Sequence, residues 1–209
     1  MNFLKGIVLL ILLYHSLFFH AQQDSIVESR KEGLYLDYLQ FRENRPITKS
    51  QIITSIDTAQ LDFFTKVVSQ KEILIMTPLG TEEKISPKDL WGYFQNGILY
   101  IYYDNAFYKV PVLGAISYFI GTQEVTYYSG VGWGYPYGMA GVPVKTREIK
   151  DFLMDYYTGK VYPFSLDQLE ELFKKDPAIY NEFTQLSRKQ KKNKYRYYIR
   201  LFNEKYPVR

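Results

Sequence analysis

The sequence predicts an α+β fold: short antiparallel strands forming a meander, folded as a small barrel or roll, followed by two C-terminal helices. Three observations predict it. Between residues 33 and 128, short aromatic or β-branched runs alternate with turn residues. Asn96-Gly97, a pair that tolerates positive φ at both positions of a two-residue hairpin turn, separates residues 91–95 from 98–103. From Ser165 onward, apolar residues recur at helical spacing behind cap residues. With 209 residues and 46% hydrophobic composition, the chain is long enough to bury a core without staples, and 18% aromatics exclude a disordered composition.

Residues 1–21 have the anatomy of a signal peptide: Lys5 in a short leading region, an apolar run over 6–19 broken by His15 and Ser16, and Ala21 before the polar Gln22-Gln23-Asp24. The apolar run is shorter than the roughly 20 residues a membrane-spanning helix needs. Phe19 stands at the −3 position, where a small residue is expected, so an uncleaved anchor is the alternative to cleavage after Ala21. Export to the periplasm, the outer envelope or the extracellular space is the expected destination. Both histidines, His15 and His20, lie in this leader, and the chain has no cysteine. Residues 22–209 therefore offer no thiol nucleophile, no Ser-His-Asp triad, no ordinary zinc or haem ligation and no imidazole acid–base chemistry. No metal or other cofactor is expected.

A linker over 22–32 leads into the β-rich domain, assigned to 33–164. Residues 34–36 open it, 41–46 read as a turn, and 63–68 and 72–77 as short strands. Ser86-Pro87-Lys88-Asp89 combines a cap, a proline at the first helical position and an acid closing the box, so one helical turn is expected. After the hairpin at Asn96-Gly97, Asp104-Asn105 turns into a strand at 107–111, and Gly114 separates that from 115–120. Aromatics on both faces imply a sheet buried on both sides or folded on itself, and the closely spaced strands favour the second. Residues 130–141, with five glycines and one proline, form a loop carrying Trp133, Tyr135 and Tyr137. Strand character returns at 148–157, turns at Thr158-Gly159 and continues through 161–164.

The helical segment is assigned to 165–209. Ser165 caps its first helix, with Gln168 at the box position, Phe164 and Leu169 as a staple, and Leu166, Leu169, Leu172 and Phe173 as the buried stripe. Asp176-Pro177 starts a second helix expected to run to about Lys205. Its apolar face is Ile179, Phe183 and Leu186, then Tyr195, Tyr198, Leu201 and Phe202, which predicts a solvated middle. Net charge is +4 for the chain and +3 without residues 1–21, yet 187–209 carry +8 and 22–186 carry −5. An acidic body with a basic tail is a statement about partners.

The spacing Gly33-Leu34-Tyr35-Leu36-Asp37-Tyr38, Phe41 and Asn44-Arg45-Pro46, with Trp91-Gly92-Tyr93, Asn96-Gly97, Leu99-Tyr100-Ile101 and Phe107-Tyr108-Lys109-Val110-Pro111, resembles an uncharacterised family of exported Bacteroidota proteins. The ending is similar too: Asp176-Pro177, a Lys/Arg-rich helix, then Tyr198-Ile199-Arg200 and Phe202-Asn203-Glu204-Lys205-Tyr206-Pro207. It approaches a Tyr-Asn-Glu-Lys/Arg-His-Pro pattern, with Phe202 and Tyr206 departing from it. The resemblance covers most of 33–207 and implies export and organism type, with no assigned activity and no site residues.

Two kinds of binding residue stand out. Trp133, Tyr135 and Tyr137 could stack on sugar rings or dock on a partner, or lie back on the body. Arg188, Lys189, Lys191, Lys192 and Lys194 could touch an anionic surface such as lipid headgroups or lipopolysaccharide phosphates, or simply solvate a helix face. Interleaved tyrosines give the same helix the composition of a single-strand nucleic-acid binder, which export and the acidic body disfavour. Catalysis is left to carboxylates: Asp151 and Asp155 share a strand face about 13 Å apart by the 3.3 Å rise, and Asp37, Glu72, Asp89, Asp104, Glu124 and Glu148 are further candidates. The leading expectation is an exported non-enzymatic binding or structural module of the envelope, with envelope glycan, anionic lipid or another exported protein as partner classes. The alternative is a carboxylate-dependent glycan-active enzyme of glycoside hydrolase type. No catalytic residue is assigned.

Overall fold

The structure is a computed structural model, and it describes residues 30–129 and 142–208. Among the described residues it is an α+β fold whose sheets are all antiparallel, with three helices longer than six residues. The sheets are open, and none of the described strands closes a barrel. Two compact units divide at residues 99 and 100, inside one strand, with Val208 counted with the first.

In the first unit, β1 (Gly33–Tyr35) pairs antiparallel with β5 (Gly92–Gln95), Gly33 opposite Phe94. A Cβ on Gly33 would lie 2.4 Å from the Ile47 carbonyl oxygen, so this close approach of backbones requires glycine. Asp37 caps a short helix, α1 (Tyr38–Arg42), by accepting from Gln40 N–H. Phe41 is fully buried, with its ring 4.7 Å from Trp91 and edge-on to Tyr35. The expected turn over 41–46 is thus a helix end followed by Asn44 at φ 54°.

A second sheet joins β2 (Ile52–Ile53), β3 (Ile73–Met76) and β4 (Glu82–Ile85) in that order. The run at 63–68 is a helix, α2 (Phe63–Val68), and the strand expected there is corrected. Phe63, Phe64 and Val67 are buried while Thr65 and Lys66 are not fully covered, a helical rather than alternating pattern. The buried Gln95 side chain accepts from Phe64 N–H at 2.8 Å, and Tyr93 OH lies 3.1 Å from Thr65 Oγ1, which ties the helix start to β5. Ser86 and Asp89 form the expected capping box. The turn after β5 has Asn96 at φ 51° and Gly97 at φ 73°, as a two-residue hairpin loop demands.

The strand that follows, β6 (Ile98–Tyr103), carries the chain into the second unit. There β6 and β7 (Ala106–Val110) are neighbours joined by Asp104 and Asn105, both at positive φ. The next two strands are far longer than the sequence suggests: β8 (Ile116–Ser129) and β9 (Val142–Asp155) pair over fourteen residues each, Ile116 opposite Asp155 and Ser129 opposite Val142. β10 (Val161–Pro163) pairs only with the 152–154 end of β9.

At that proximal end the ribbon is buried on both faces. Phe119 and Phe152 lie side by side with ring centroids 5.2 Å apart, and Tyr103 and Tyr108 from β6 and β7 pack on them. The opposite face carries Tyr118, which meets the last helix.

Three helices complete this unit: α3 (Leu166–Phe173), α4 (Pro177–Thr184) and α5 (Arg188–Lys205). Ser165 caps α3 and Asp176 caps α4. The single second helix expected over 177–205 is two, because Ser187 and Gln190 form a reciprocal capping box that begins α5. Phe173 is the hub, within 5.2 Å of Phe183 and 5.6 Å of Phe202, and Phe183 is edge-on to Tyr198 at 5.1 Å. Each such ring contributes about 1.5–3 kcal/mol by leaving water.

Asn203 fastens α5 to the sheet. Its side-chain amide accepts from Ile116 N–H at 2.8 Å and donates to Ile116 C=O at 2.9 Å, completing the outward backbone of β8 as a neighbouring strand would. Gly114 leaves room for it, since a Cβ there would sit 2.4 Å from the amide. Among the described residues, no helix is long and apolar enough to cross a membrane.

Candidate functional site

The carboxylates that could have run acid–base chemistry are engaged in structure. Asp37 caps α1, and Asp89 closes the capping box at Ser86. Glu72 pairs with Lys84, Glu124 with Lys145 at 2.7 Å and Glu148 with Lys150. Asp104 accepts from Glu124 N–H and pairs with Arg147 at 3.1 Å. Asp155 is buried, organises the 155–158 turn through Tyr157 N–H and Thr158 Oγ1, and pairs with Lys175 at 3.1 Å. Asp151 accepts from Tyr118 OH at 2.7 Å.

Asp176 is almost wholly buried, and the Lys205 ammonium 2.5 Å away holds its carboxyl below the usual carboxylate range. The Ile179 and Ala178 N–H groups of α4 add to that against the cost of burial. A general acid needs the opposite shift. Among the described residues no three His, Cys, Asp or Glu side chains gather where they could hold a metal ion.

The five cations singled out on α5 do not act together. Arg188, Lys189, Lys192 and Lys194 are exposed. Lys191 instead turns inward, with its ammonium 2.7 Å from Glu170 on α3 and 5.7 Å from the centre of the Phe183 ring. That contact anchors part of the stretch expected to be solvated. By helical spacing, Lys189, Lys192, Arg196 and Arg200 form one flank, three or four residues apart, while Lys194 lies on another side.

Arg196 is the member the charge run did not single out. Its Nε donates to Tyr195 OH at 3.0 Å and its Nη2 to Tyr118 OH at 3.4 Å, and the guanidinium lies over both rings at 5.4 and 5.6 Å. Phe164 packs on Tyr195 at 4.6 Å. Burial, and then donation to Asp151, push the Tyr118 hydroxyl upward, so it stays protonated and serves as a donor rather than a base. The residue spacing along α5 could have pointed to Arg196. Nothing local in the sequence distinguishes Tyr118 from the other tyrosines.

Beyond this junction the β8–β9 ribbon loses its cover. Ile120, Tyr127, Tyr128, Val142, Val144 and Ile149 are exposed, Ile149 by 78% and Tyr128 by 69%. Directly opposed residues share a face, so Tyr127 stands beside Val144, while Ile149 stands beside Thr122 on the other face. Trp133, Tyr135 and Tyr137 fall between the distal ends of these strands in sequence and lie outside the described residues. The exposed ribbon is an element that sequence reasoning missed. In this region the sequence predicts strands only at 115–120 and 148–157, because the Thr, Gln, Tyr and Lys content of the distal halves marks no buried face.

The arrangement can bind through apolar and aromatic side chains on the ribbon and through cations on one helix flank. Comparison with protein-family models, with curated proteins and with solved structures gives no match.

Proposed function

We propose that the chain is an exported, non-enzymatic binding module of the cell envelope, and that the distal β8–β9 ribbon is its binding element. The observation that carries this reading is the exposure of apolar and aromatic residues on both faces, Tyr127, Val142 and Val144 on one and Tyr128 and Ile149 on the other, of a ribbon whose other end is packed on both faces. The engagement of the candidate carboxylates in caps, turns and ion pairs supports binding over glycan hydrolysis. The leader-like residues 1–21 support export.

The test joins location to binding. In a Bacteroidota host, the chain recovered from the envelope fraction should begin near Gln22, and the purified chain from Gln22 onward should sediment with isolated envelopes. Replacing Tyr127, Tyr128 and Ile149 with Ser should reduce that sedimentation without lowering the melting temperature. Full-length chain confined to the cytosol, undiminished sedimentation of the triple variant, or cleavage of envelope glycan by the purified chain would each overturn the proposal.

A further inference from the structure

The geometry points to the outer edge of β8 at Thr126 and Tyr128 as a self-pairing surface for a second copy of this chain, joining two ribbons into one antiparallel sheet. This inference rests on the backbone of the ribbon and stands whether or not the chain is exported.

Along β8 the even-numbered residues direct N–H and C=O away from β9, as the partners outside the ladder show. Outward backbone partners are present at Ile116, Tyr118 and Glu124. Ile116 is satisfied at both groups by the Asn203 amide. Tyr118 N–H donates to the Val112 carbonyl. Thr122 lies beside β7, with Tyr108 OH 2.5 Å from its Oγ1. Glu124 N–H is taken by the Asp104 carboxylate, which Arg147 holds in place. Past Asp104 the occupation stops. Among the described residues, Thr126 and Tyr128 have no backbone partner on the outward side.

The other edge of the ribbon is defended and this one is not. The distal part of β9 carries Pro143, which lacks an N–H on the outward side, and the cations Lys145, Arg147 and Lys150, which pair with Glu124, Asp104 and Glu148. Proline and cations on an edge are the devices that keep strands from pairing further. Residues 125–129 of β8 (Val, Thr, Tyr, Tyr, Ser) contain no charge, no proline and mostly strand-forming side chains.

A second copy fits because this segment can oppose itself without bringing like charges together, whereas β9 against β9 would place lysines and arginines along the seam. The occupied position at Glu124 selects the register. An axis on Val125 or Thr126 would need the Glu124 edge, which Asp104 fills. An axis on Tyr127 sets Thr126 opposite the partner's Tyr128 and uses both open positions twice. It also aligns Val144 and Tyr127 with their counterparts as one apolar row across the joined sheet. On that axis the two Tyr127 residues form a non-hydrogen-bonded pair with Cα atoms about 4.5 Å apart, within the range a disulfide spans.

The chain has no native cysteine, so a single introduced one reads the register directly. The chain from Gln22 onward, carrying Tyr127→Cys, should form a covalent dimer on mild oxidation several-fold faster than the same chain carrying Lys145→Cys on the defended edge. By analytical ultracentrifugation, the cysteine-free chain should show a concentration-dependent dimer. Thr126→Pro, which removes one outward N–H, and Tyr127→Lys, which sets two cations on the axis, should each make it monomeric with an unchanged melting temperature. A chain that stays monomeric at all concentrations, equal crosslinking at 127 and 145, or a dimer that survives both variants would overturn the inference. So would a monomer in which Thr126→Pro abolishes binding of a different protein.

Discussion

The two ends of the β8–β9 ribbon share one ladder and one pair of strands, and differ in residue composition and in what covers them. At the proximal end Phe119 and Phe152 are fully buried beneath β6 and β7 on one face, with Tyr118 meeting α5 on the other. At the distal end Tyr127, Tyr128, Val144 and Ile149 stand in water. The ladder hydrogen bonds run the same course throughout, so they do not account for the difference. Burial is conferred by layers supplied from elsewhere in the unit, and a strand pair without them remains an exposed ribbon whose side chains and edge are available to partners.

The largest effect that sharpens this comparison comes from truncating a ring at the covered end. Phe152→Ala should cost about 3–5 kcal/mol in chemical denaturation. Ile149→Ala, three residues along the same strand, should stay within about 0.5 kcal/mol. Equal losses would mean that the distal end is covered as well, and the comparison would fail.

A smaller effect should follow from loosening the cover. Asn203→Ala leaves both outward groups of Ile116 without their partner and should cost about 1–3 kcal/mol. Gly114→Ala displaces the same amide, so the double variant should cost clearly less than the two single losses added together. Strict additivity would show that the two residues act on different contacts.

The smallest effect concerns the ion pair that ties α5 to the start of α4. The Asp176 carboxyl is held below its usual range in the folded chain, so its contribution is present above the unfolded value and is lost as pH falls through the folded one. Asp176→Asn keeps a capping side chain but removes the charge, and should cost about 1 kcal/mol at neutral pH because Lys205 remains half exposed. Thermal melts of the variant should depend less on pH across the acid range than those of the parent chain. An unchanged acid limb would place the acid sensitivity at other carboxylates.

Local signals in this chain were readable where the decisive residues are close in sequence. The Asn96-Gly97 and Asp104-Asn105 turns adopt positive φ as their residue types require, and Ser165 and Asp176 cap the helices they precede. The same kind of signal at Ser187 and Gln190 splits the last helix in two, and it was hidden by the continuous polar run around it. At 63–68, two phenylalanines and two valines match a strand by composition, and only the packing of Phe63, Phe64 and Val67 on one side makes the segment a helix.

What the sequence alone determined is the chemistry on offer. Outside residues 1–21 there is no His or Cys, the last helix is strongly basic, and turns and caps stand where their residue types allow. Tertiary structure decided how that chemistry is used. It placed Arg196 between Tyr118 and Tyr195, turned Lys191 toward Glu170, engaged the candidate carboxylates in structural contacts and left the distal ribbon bare. The physical reason is range: a cap or a turn is settled within four residues, whereas the Asn203 contact that completes β8 joins positions 87 apart and the Arg196–Tyr118 contact positions 78 apart. Which layer lies over which strand is a property of the folded chain, and no window of neighbouring residues encodes it.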